Sequence, residues 1–245
     1  MAIRFALFDV GGTILDLEYR HLREAIVEAA VGSLLASRPS ELPDDEAFEQ
    51  AERQTRAWWI DHVRRGVSIE DPWRKYFDRI YEGVGVPAAL MPELLRRLWE
   101  RNLASGLWHR PVPGANEILK RLVESGVRLA VISNSEGRVA EDLAEAGLGR
   151  YFEAVIDSRK VGVSKPDPRI FRLALERLAA RPDESVFIGD VFWIDIVGAR
   201  SAGLPAILVD RWRLQTDVDC PRVESLEELG SFLENPEKQA AKFSS

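Results

Sequence analysis

Short apolar runs alternate along the chain with longer segments of helical spacing. Runs bounded by Gly, Asp or Ser predict buried strands at residues 3–8, 127–132, 154–156, 186–188 and 206–209. The segments between them repeat apolar residues every three or four positions, as in Leu119, Leu122 and Val123, or in Ile170, Phe171, Ala174, Leu175 and Leu178. This alternation predicts a parallel sheet with helices on its faces, which is the doubly wound α/β class of fold.

Residues 17–108 break the alternation. They hold no convincing strand, and their apolar residues recur at helical spacing, as at Leu22 and Ile26. We therefore predict an all-helical domain of residues 17–108, inserted into a core domain of residues 1–16 and 109–234. Residues 235–245 are polar and are predicted to form a flexible tail. The aromatic residues of the insert are interpreted mainly as its internal packing: Trp58, Trp59, Trp73, Tyr76, Trp99 and Trp108.

Composition and charge narrow the classes of partner. Apolar residues make up 46% and charged residues 30% of the 245 residues, as in ordinary folded proteins. The net charge of −7, with no basic block, argues against nucleic acid and anionic membranes and favours a small-molecule partner. No apolar run reaches the roughly 18 residues that span a bilayer, and no signal sequence is evident, so a cytoplasmic location is expected. One cysteine and three histidines predict neither an internal disulfide nor a zinc cage, and the pattern is silent on oligomeric state.

Polar side chains stand where the predicted strands end. Asp9 and Ser133 follow the first two strands, Asp190 follows a later one with Asp195 close behind, and Lys165 lies in an intervening loop. Each residue alone is more often a helix cap or a solvated surface group. Together they suggest one site, because the carboxyl ends of parallel strands meet at the same edge of a sheet.

These residue types suit phosphoryl transfer. Carboxylates at neighbouring strand ends can share a hard cation such as Mg²⁺. Asp9 could then attack phosphorus and form an aspartyl-phosphate that water later cleaves. Ser133 and nearby backbone N–H groups would hold the phosphoryl oxygens, and the Lys165 ammonium would balance the developing charge.

The same residues carry a family resemblance. The order Asp9-x-Gly-Gly-Thr, Ser133-Asn134, Lys165-Pro166 and Gly189-Asp190 followed by Asp195 resembles the four motifs of the haloacid dehalogenase (HAD) superfamily. The helical insert after the first motif is similar to the C1 cap of that superfamily. The resemblance implies an α/β HAD-like hydrolase with a Rossmann-like core whose strand order is near 5-4-1-2-3.

The resemblance also implies roles for individual residues. Magnesium would be held by Asp9, the backbone carbonyl of Gly11 and Asp190, with Asp195 as a further or supporting ligand. Asp9, Ser133 and Lys165 would be catalytic. The implied contacts to phosphate or substrate are Gly12, Thr13, Ser133 and Asn134. Trp193, between the two later carboxylates, is predicted to form an apolar wall beside the metal.

Gly11 departs from the phosphatase pattern. HAD phosphatases usually carry a second Asp at this position, which protonates the leaving group and activates water. Loss of a positioned acid or base costs about 10²- to 10⁴-fold in rate. We therefore expect slow hydrolysis, or substrates with good leaving groups such as acyl phosphates. His21 is the preferred replacement because an imidazole titrates near neutrality, although an exposed residue in the first turn of a helix is the more common interpretation.

Other functions remain open at this stage. The haloacid dehalogenases proper also lack the second Asp, but the pair Asp190 and Asp195 is typical of the metal-dependent phosphatases. Phosphonate cleavage would need an additional cap lysine, for which the insert offers only Lys75. A third possibility is a catalytically weak protein that keeps the fold for binding or partner contact. We expect Gly11→Asp to raise the turnover of phosphate esters if the missing proton donor limits the rate.

Overall fold

The computed structural model describes residues 3–32 and 41–233. The chain forms two compact units, one of Met1–Leu17 with Trp108–Ser245 and one of Glu18–Leu107. Among the described residues, every helix is too short or too polar to cross a bilayer. The predicted tail of residues 235–245 lies outside the described residues.

The unit Glu18–Leu107 is helical throughout its described part. Its helices are α1 (Tyr19–Gly32), α2 (Asp45–Arg64), α3 (Pro72–Gly83) and α4 (Met91–Ser105), with a short 3₁₀ turn at Ala88–Leu90. The side chain of Asp44 caps α2 by accepting a hydrogen bond of 2.8 Å from Ala47 N, as expected for Asp before a helix. The predicted helical insertion is therefore confirmed.

The core of this helical unit differs from the expected one. Its fully buried side chains are mostly aliphatic, with a few aromatic rings: Leu22, Ile26, Phe48, Phe77, Ile80, Tyr81, Leu94 and Leu98. Trp58 and Trp59 are only half-buried, and Trp99 is 37% exposed. The tryptophans therefore lie at the margin of this core, where Trp73 packs against Phe77 and Trp99, because large indole rings are rarely enclosed on all sides.

The other unit is built on a parallel sheet. The strands, in chain order, are β1 (Phe5–Phe8), β2 (Leu15–Leu17), β3 (Trp108–Pro111), β4 (Arg128–Ser133), β5 (Phe152–Asp157), β6 (Ser185–Gly189), β7 (Ala206–Val209) and β8 (Arg222–Val223). The main sheet has six strands in the order β5-β4-β1-β6-β7-β8, and all its pairs are parallel. The predicted α/β class is confirmed, and β8 adds one edge strand to the implied order.

Helices cover both faces of this sheet. They are α5 (Ala115–Glu124), α6 (Val139–Glu145), α7 (Ser158–Val161), α8 (Pro168–Leu178), α9 (Val197–Ser201) and α10 (Leu226–Leu233). Side chains alternate along β1, so that Ala6 and Phe8 join the cluster with α5 and α10, while Phe5 and Leu7 join the cluster with α8 and α9. Along α5 the buried stripe includes Leu119 and Leu122, but Val123 is 43% exposed, contrary to expectation.

The sequence pattern did not predict two short strands, β2 and β3. β2 and β3 pair antiparallel, with Leu15 opposite Pro111 and Leu17 opposite Trp108. They are too short to show a period of two, and the prolines near β3 indicate a turn rather than a strand. Trp108, assigned to the helical insert from the sequence, is thus the first residue of a strand in the sheet unit.

Candidate active site

Polar side chains lie at the carboxyl ends of three neighbouring strands of the sheet. Asp9 follows β1, Ser133 ends β4, and Asp190 follows β6. In the sheet, β1 lies between β4 and β6, and all three run parallel. Their carboxyl ends therefore lie side by side, as expected from the sequence.

Lys165 connects two carboxylates at this edge. Its Nζ lies 2.5 Å from Asp9 Oδ1 and 2.7 Å from Asp195 Oδ1, and the residue is 5% exposed. Burial opposes the charged ammonium, but the charges of Asp195 and Asp9 outweigh it, so the pKa of Lys165 lies above its ordinary value. Lys165 therefore stays cationic at neutral pH.

Asp195 supports the turn that carries Asp190. Its Oδ2 accepts hydrogen bonds from the backbone N–H groups of Asp190 at 3.1 Å and Val191 at 2.9 Å. Burial raises the pKa of Asp195 to about 6, the Lys165 charge counteracts this shift, and the Asp9 charge adds to it. A Cβ at Gly189 would lie 2.5 Å from Asp195 Cβ, so only glycine lets the strand approach this side chain so closely.

Three carboxylates crowd together in the site. Oxygen atoms of Asp9, Asp190 and Asp195 all lie within 4.8 Å of one another. Lys165 supplies a single positive charge in contact with two of them. A divalent cation would offset the remaining negative charge, and carboxylate oxygens are the donors that Mg²⁺ prefers.

The carboxylate of Asp9 is held from two sides. Thr13 is fully buried and donates from Oγ1 to Asp9 Oδ2 at 3.1 Å, while Lys165 contacts Oδ1. Gly12 permits the tight turn between Asp9 and Thr13, because its φ of +87° suits glycine. Its N–H group donates to Leu15 O at 2.7 Å. The turn fixes the orientation of Asp9.

Asn134 holds the loop that carries Lys165. Its Nδ2 donates to the Lys165 carbonyl at 2.9 Å, and its Oδ1 accepts from the Lys165 N–H at 2.8 Å. The side chain expected to contact phosphate is thus engaged with the backbone of Lys165. Ser133, directly before it, is 5% exposed at the end of β4.

Gln215 is a supporting residue that the sequence did not reveal. Its Oε1 accepts a hydrogen bond from Phe192 N at 2.8 Å, and its Nε2 donates to the Asp190 carbonyl at 2.7 Å. Asp210, at the end of β7, accepts from the Gln215 N–H at 2.9 Å. No motif marks a lone glutamine 25 positions from its partner, so only the structure identifies it.

Trp108 covers Gly11. A Cβ built on Gly11 would lie 3.4 Å from Cε3 and Cζ3 and 3.5 Å from Cη2 of the Trp108 indole. These are ordinary van der Waals distances, so the first atom of a side chain at position 11 would pack directly against the ring. No sequence pattern links these two residues, which are far apart in the chain.

The two remaining candidates are placed less directly. His21 lies in α1 of the helical unit, is 7% exposed, and has Nδ1 3.3 Å from the Gly106 carbonyl oxygen. The interpretation of His21 as an exposed residue was therefore wrong. Trp193 is 37% exposed and lines a surface groove together with Val197 and Arg200. The lining of this groove does not include Asp9, Asp190 or Asp195. Its role as a wall beside the metal stays a prediction.

Comparison with known proteins identifies the family. The model of the haloacid dehalogenase-like hydrolases matches residues 3–203. The chain belongs to this family. The HAD resemblance drawn from the four motifs is thereby confirmed, and the protein is a HAD-like hydrolase.

Individual relatives of this HAD-like hydrolase include several phosphatases. It is 29% identical over 211 residues to haloacid dehalogenase-like hydrolase domain-containing protein 3 of Mus musculus, covering 85% of this chain and 82% of that protein. It is 27% identical over 230 residues to the glyceraldehyde 3-phosphate phosphatase of Methanopyrus kandleri, covering 91% and 92%. A structure of the HAD-hydrolase YfnB from Bacillus subtilis bound to magnesium shares the fold, with a TM-score of 0.67 and 21% identity over 96% of this chain and 100% of that one.

Proposed function

We propose that this HAD-like hydrolase is a Mg²⁺-dependent phosphatase that acts through an aspartyl-phosphate on a small phosphorylated metabolite. The observation that carries the proposal is the group of Asp9, Asp190 and Asp195, whose oxygens lie within 4.8 Å of one another beside the ammonium of Lys165. A nucleophile, a cation and an excess of hard oxygen donors are what phosphoryl transfer through a carboxylate requires. The phosphatases among its relatives support the same class of reaction.

The oxygen donors fit Mg²⁺. Asp9, Asp190 and the backbone carbonyl of Gly11 would hold the ion, which keeps several of its own waters. Asp195 would act as a supporting ligand, because its two oxygens already accept hydrogen bonds from Lys165, Asp190 N and Val191 N. When bound, the ion supplies positive charge to the phosphoryl oxygens in the transition state.

In the first step an oxygen of Asp9 attacks phosphorus. A new O–P bond forms, the bond between phosphorus and the leaving-group oxygen breaks, and its electron pair departs with that oxygen. Ser133 Oγ and the backbone N–H group of Asn134 are proposed as the phosphate contacts, because the N–H groups of Gly12 and Thr13 already bond to Leu15 O and Val10 O. Lys165 stays protonated and offsets the charge on Asp9 and the phosphoryl group.

In the second step water attacks the aspartyl-phosphate. The water oxygen bonds to phosphorus, the bond between phosphorus and Asp9 breaks, and the Asp9 carboxylate is restored. The proton released by water is taken up by the phosphate product, so that atoms and charges balance. Thr13 returns its hydrogen bond to the free carboxylate.

A phosphate-release assay with a broad panel of phosphorylated metabolites and acetyl phosphate tests the proposal. We expect turnover that needs added Mg²⁺ and that Asp9→Asn abolishes, because the amide is no nucleophile. Asp16→Asn is a matched control, since Asp16 also lies near the first motif but is paired with Arg211 at 2.5 Å. Chloride release from 2-chloropropionate without phosphate release would overturn the phosphatase in favour of a dehalogenase. Absence of both activities would leave a binding protein.

A further inference from the structure

The indole of Trp108 lies where a proton-transfer side chain would project. The ring atoms Cε3, Cζ3 and Cη2 are 3.4 to 3.5 Å from the position of a Cβ on Gly11. A Cβ at this position would be in ordinary van der Waals contact with the ring, so the carboxylate of an aspartate would begin beside an apolar surface. Gly11 therefore lacks the acid group, and the surface next to it is an apolar ring.

Trp108 is built into the sheet unit. It begins β3, stands opposite Leu17 of β2, and packs as a half-buried side chain against the core cluster that contains Phe8 and Val10. Gly11 belongs to the same local structure, because it forms a bridge with Leu15 at the start of β2. A ring anchored in this way is a fixed wall over Gly11.

We propose that Gly11 and Trp108 select phosphoryl donors whose leaving group departs without a proton, foremost acyl phosphates. This rests on the proposed phosphatase function. The pair replaces a proton donor by an apolar surface that neither protonates a leaving oxygen nor stabilises an alkoxide. Trp108 is thus a specificity-determining residue for the reaction.

The chemistry of the leaving group explains the selection. When Asp9 attacks an acyl phosphate, the P–O bond breaks and its electron pair stays on a carboxylate. A carboxylic acid has a pKa of about 4, so its anion is stable at neutral pH without a proton. An alkyl phosphate would release an alkoxide, which is far more basic and needs a proton as the bond breaks.

The wall also changes what Gly11→Asp should do. From the sequence alone, this substitution is expected to raise ester turnover. Because Trp108 occupies the adjoining space, the new carboxylate gains a productive position only when the ring is removed as well. Gly11→Asp combined with Trp108→Ala should therefore succeed where Gly11→Asp alone does not.

The experiment measures kcat/KM for acetyl phosphate and for glycerol 3-phosphate, because kcat/KM reports the steps up to departure of the leaving group. We expect the wild-type protein to favour acetyl phosphate by at least about 10²-fold, the lower end of what a general acid contributes. The double variant should narrow this ratio at least about tenfold by raising the alkyl rate. Gly11→Asp alone should leave the ratio of the two kcat/KM values unchanged. The ratio should also be unchanged in Gly11→Asp combined with Trp212→Ala, which controls for the loss of another half-buried tryptophan of this unit.

Each contrary result has a distinct meaning. A wild-type ratio near one overturns the inference while leaving the phosphatase intact, and needs no variant to fold. Equal narrowing by Gly11→Asp alone shows that Trp108 is no barrier. A loss of the alkyl rate in His21→Gln shows that a histidine supplies the proton after all. Absence of phosphate release from acetyl phosphate overturns the phosphatase itself.

Discussion

Gln215 donates a hydrogen bond of 2.7 Å from Nε2 to the backbone carbonyl of Asp190. The other end of the same amide accepts from Phe192 N, so one side chain holds the backbone on both sides of Val191. Gln215 is 6% exposed, and these bonds are shielded from water. The turn that presents Asp190 is therefore fixed by Gln215 from one side and by Asp195 from the other.

Replacing Gln215 by Leu should loosen this turn. The substitution leaves a buried N–H and a buried carbonyl without their partner, and we expect the free energy of unfolding to fall by about 2–4 kcal/mol. The rise in melting temperature on adding Mg²⁺ should also shrink, because Asp190 is less well placed. Gln215→Glu keeps the acceptor for Phe192 N, and should be the milder variant for stability. Wild-type stability and an unchanged Mg²⁺ shift in Gln215→Leu would contradict the role.

Lys165 should be a major contributor to folding as well as to chemistry. Lys165→Met removes the cation between two buried carboxylates, and breaking a buried ion pair from one side costs about 3–5 kcal/mol. Urea unfolding in the presence of a chelator measures this loss. Adding Asp195→Asn should recover part of the lost free energy of unfolding, because it removes one of the two buried carboxylates that have lost their cation. If the double variant is less stable than Lys165→Met, repulsion between the carboxylates is not the cause.

Two glycines of the site should respond differently to alanine. Gly189→Ala places a Cβ 2.5 Å from Asp195 Cβ and Cγ, and we expect a loss of about 1–3 kcal/mol as the turn shifts. Gly11→Ala meets the Trp108 ring at 3.4 Å and should change the free energy of unfolding by less than about 1 kcal/mol. Chemical unfolding of the two variants side by side provides the comparison. Similar losses in both variants would show that the backbone around Gly189 and Asp195 can shift to accommodate the added methyl group.

Asp142 should make stability depend on pH. Burial raises its pKa from 3.8 to about 6, an effect that Arg138 and His109 oppose and Glu145 reinforces. The folded state therefore binds the Asp142 proton more tightly than the unfolded state does. The protonated carboxyl contributes its full stabilisation below the pKa that Asp142 has in the unfolded chain, and this contribution is lost as the pH rises through about 6.

Asp142→Asn removes this titration. The melting temperature of the variant relative to wild type should rise between pH 4 and 6 and stay level above, as the wild type loses its bound proton. Glu141→Gln, at the exposed neighbouring position, should show no such trend. A difference between Asp142→Asn and wild type that is flat with pH would refute the assignment.

The parts of the fold that follow from periodicity were predictable. Each apolar run of the main sheet became a strand, and the rule that ligands meet the carboxyl ends of parallel strands located Asp9, Ser133 and Asp190 together. The helical insert followed from its apolar spacing in the same way. These features depend on local pattern and on topology, which a single sequence carries.

The parts that depend on long-range side-chain contacts were not predictable. The amide of Gln215 and the ring of Trp108 act on residues distant in the chain, and neither residue type marks its partner. Burial of His21 was missed for the same reason, because the carbonyl it contacts belongs to Gly106. β2 and β3 were missed since strands of three or four residues show no period.

The central place of β1 in the sheet has a consequence for biosynthesis. β1 precedes both of its partner strands in the chain. It pairs with β4 from Arg128 onward and with β6 from Ser185 onward. A nascent or truncated chain that ends before β6 therefore carries an apolar strand, Phe5–Phe8, with an unsatisfied edge. Such fragments should aggregate or recruit chaperones on the ribosome, because that edge can close only after residues 185–188 have been synthesised.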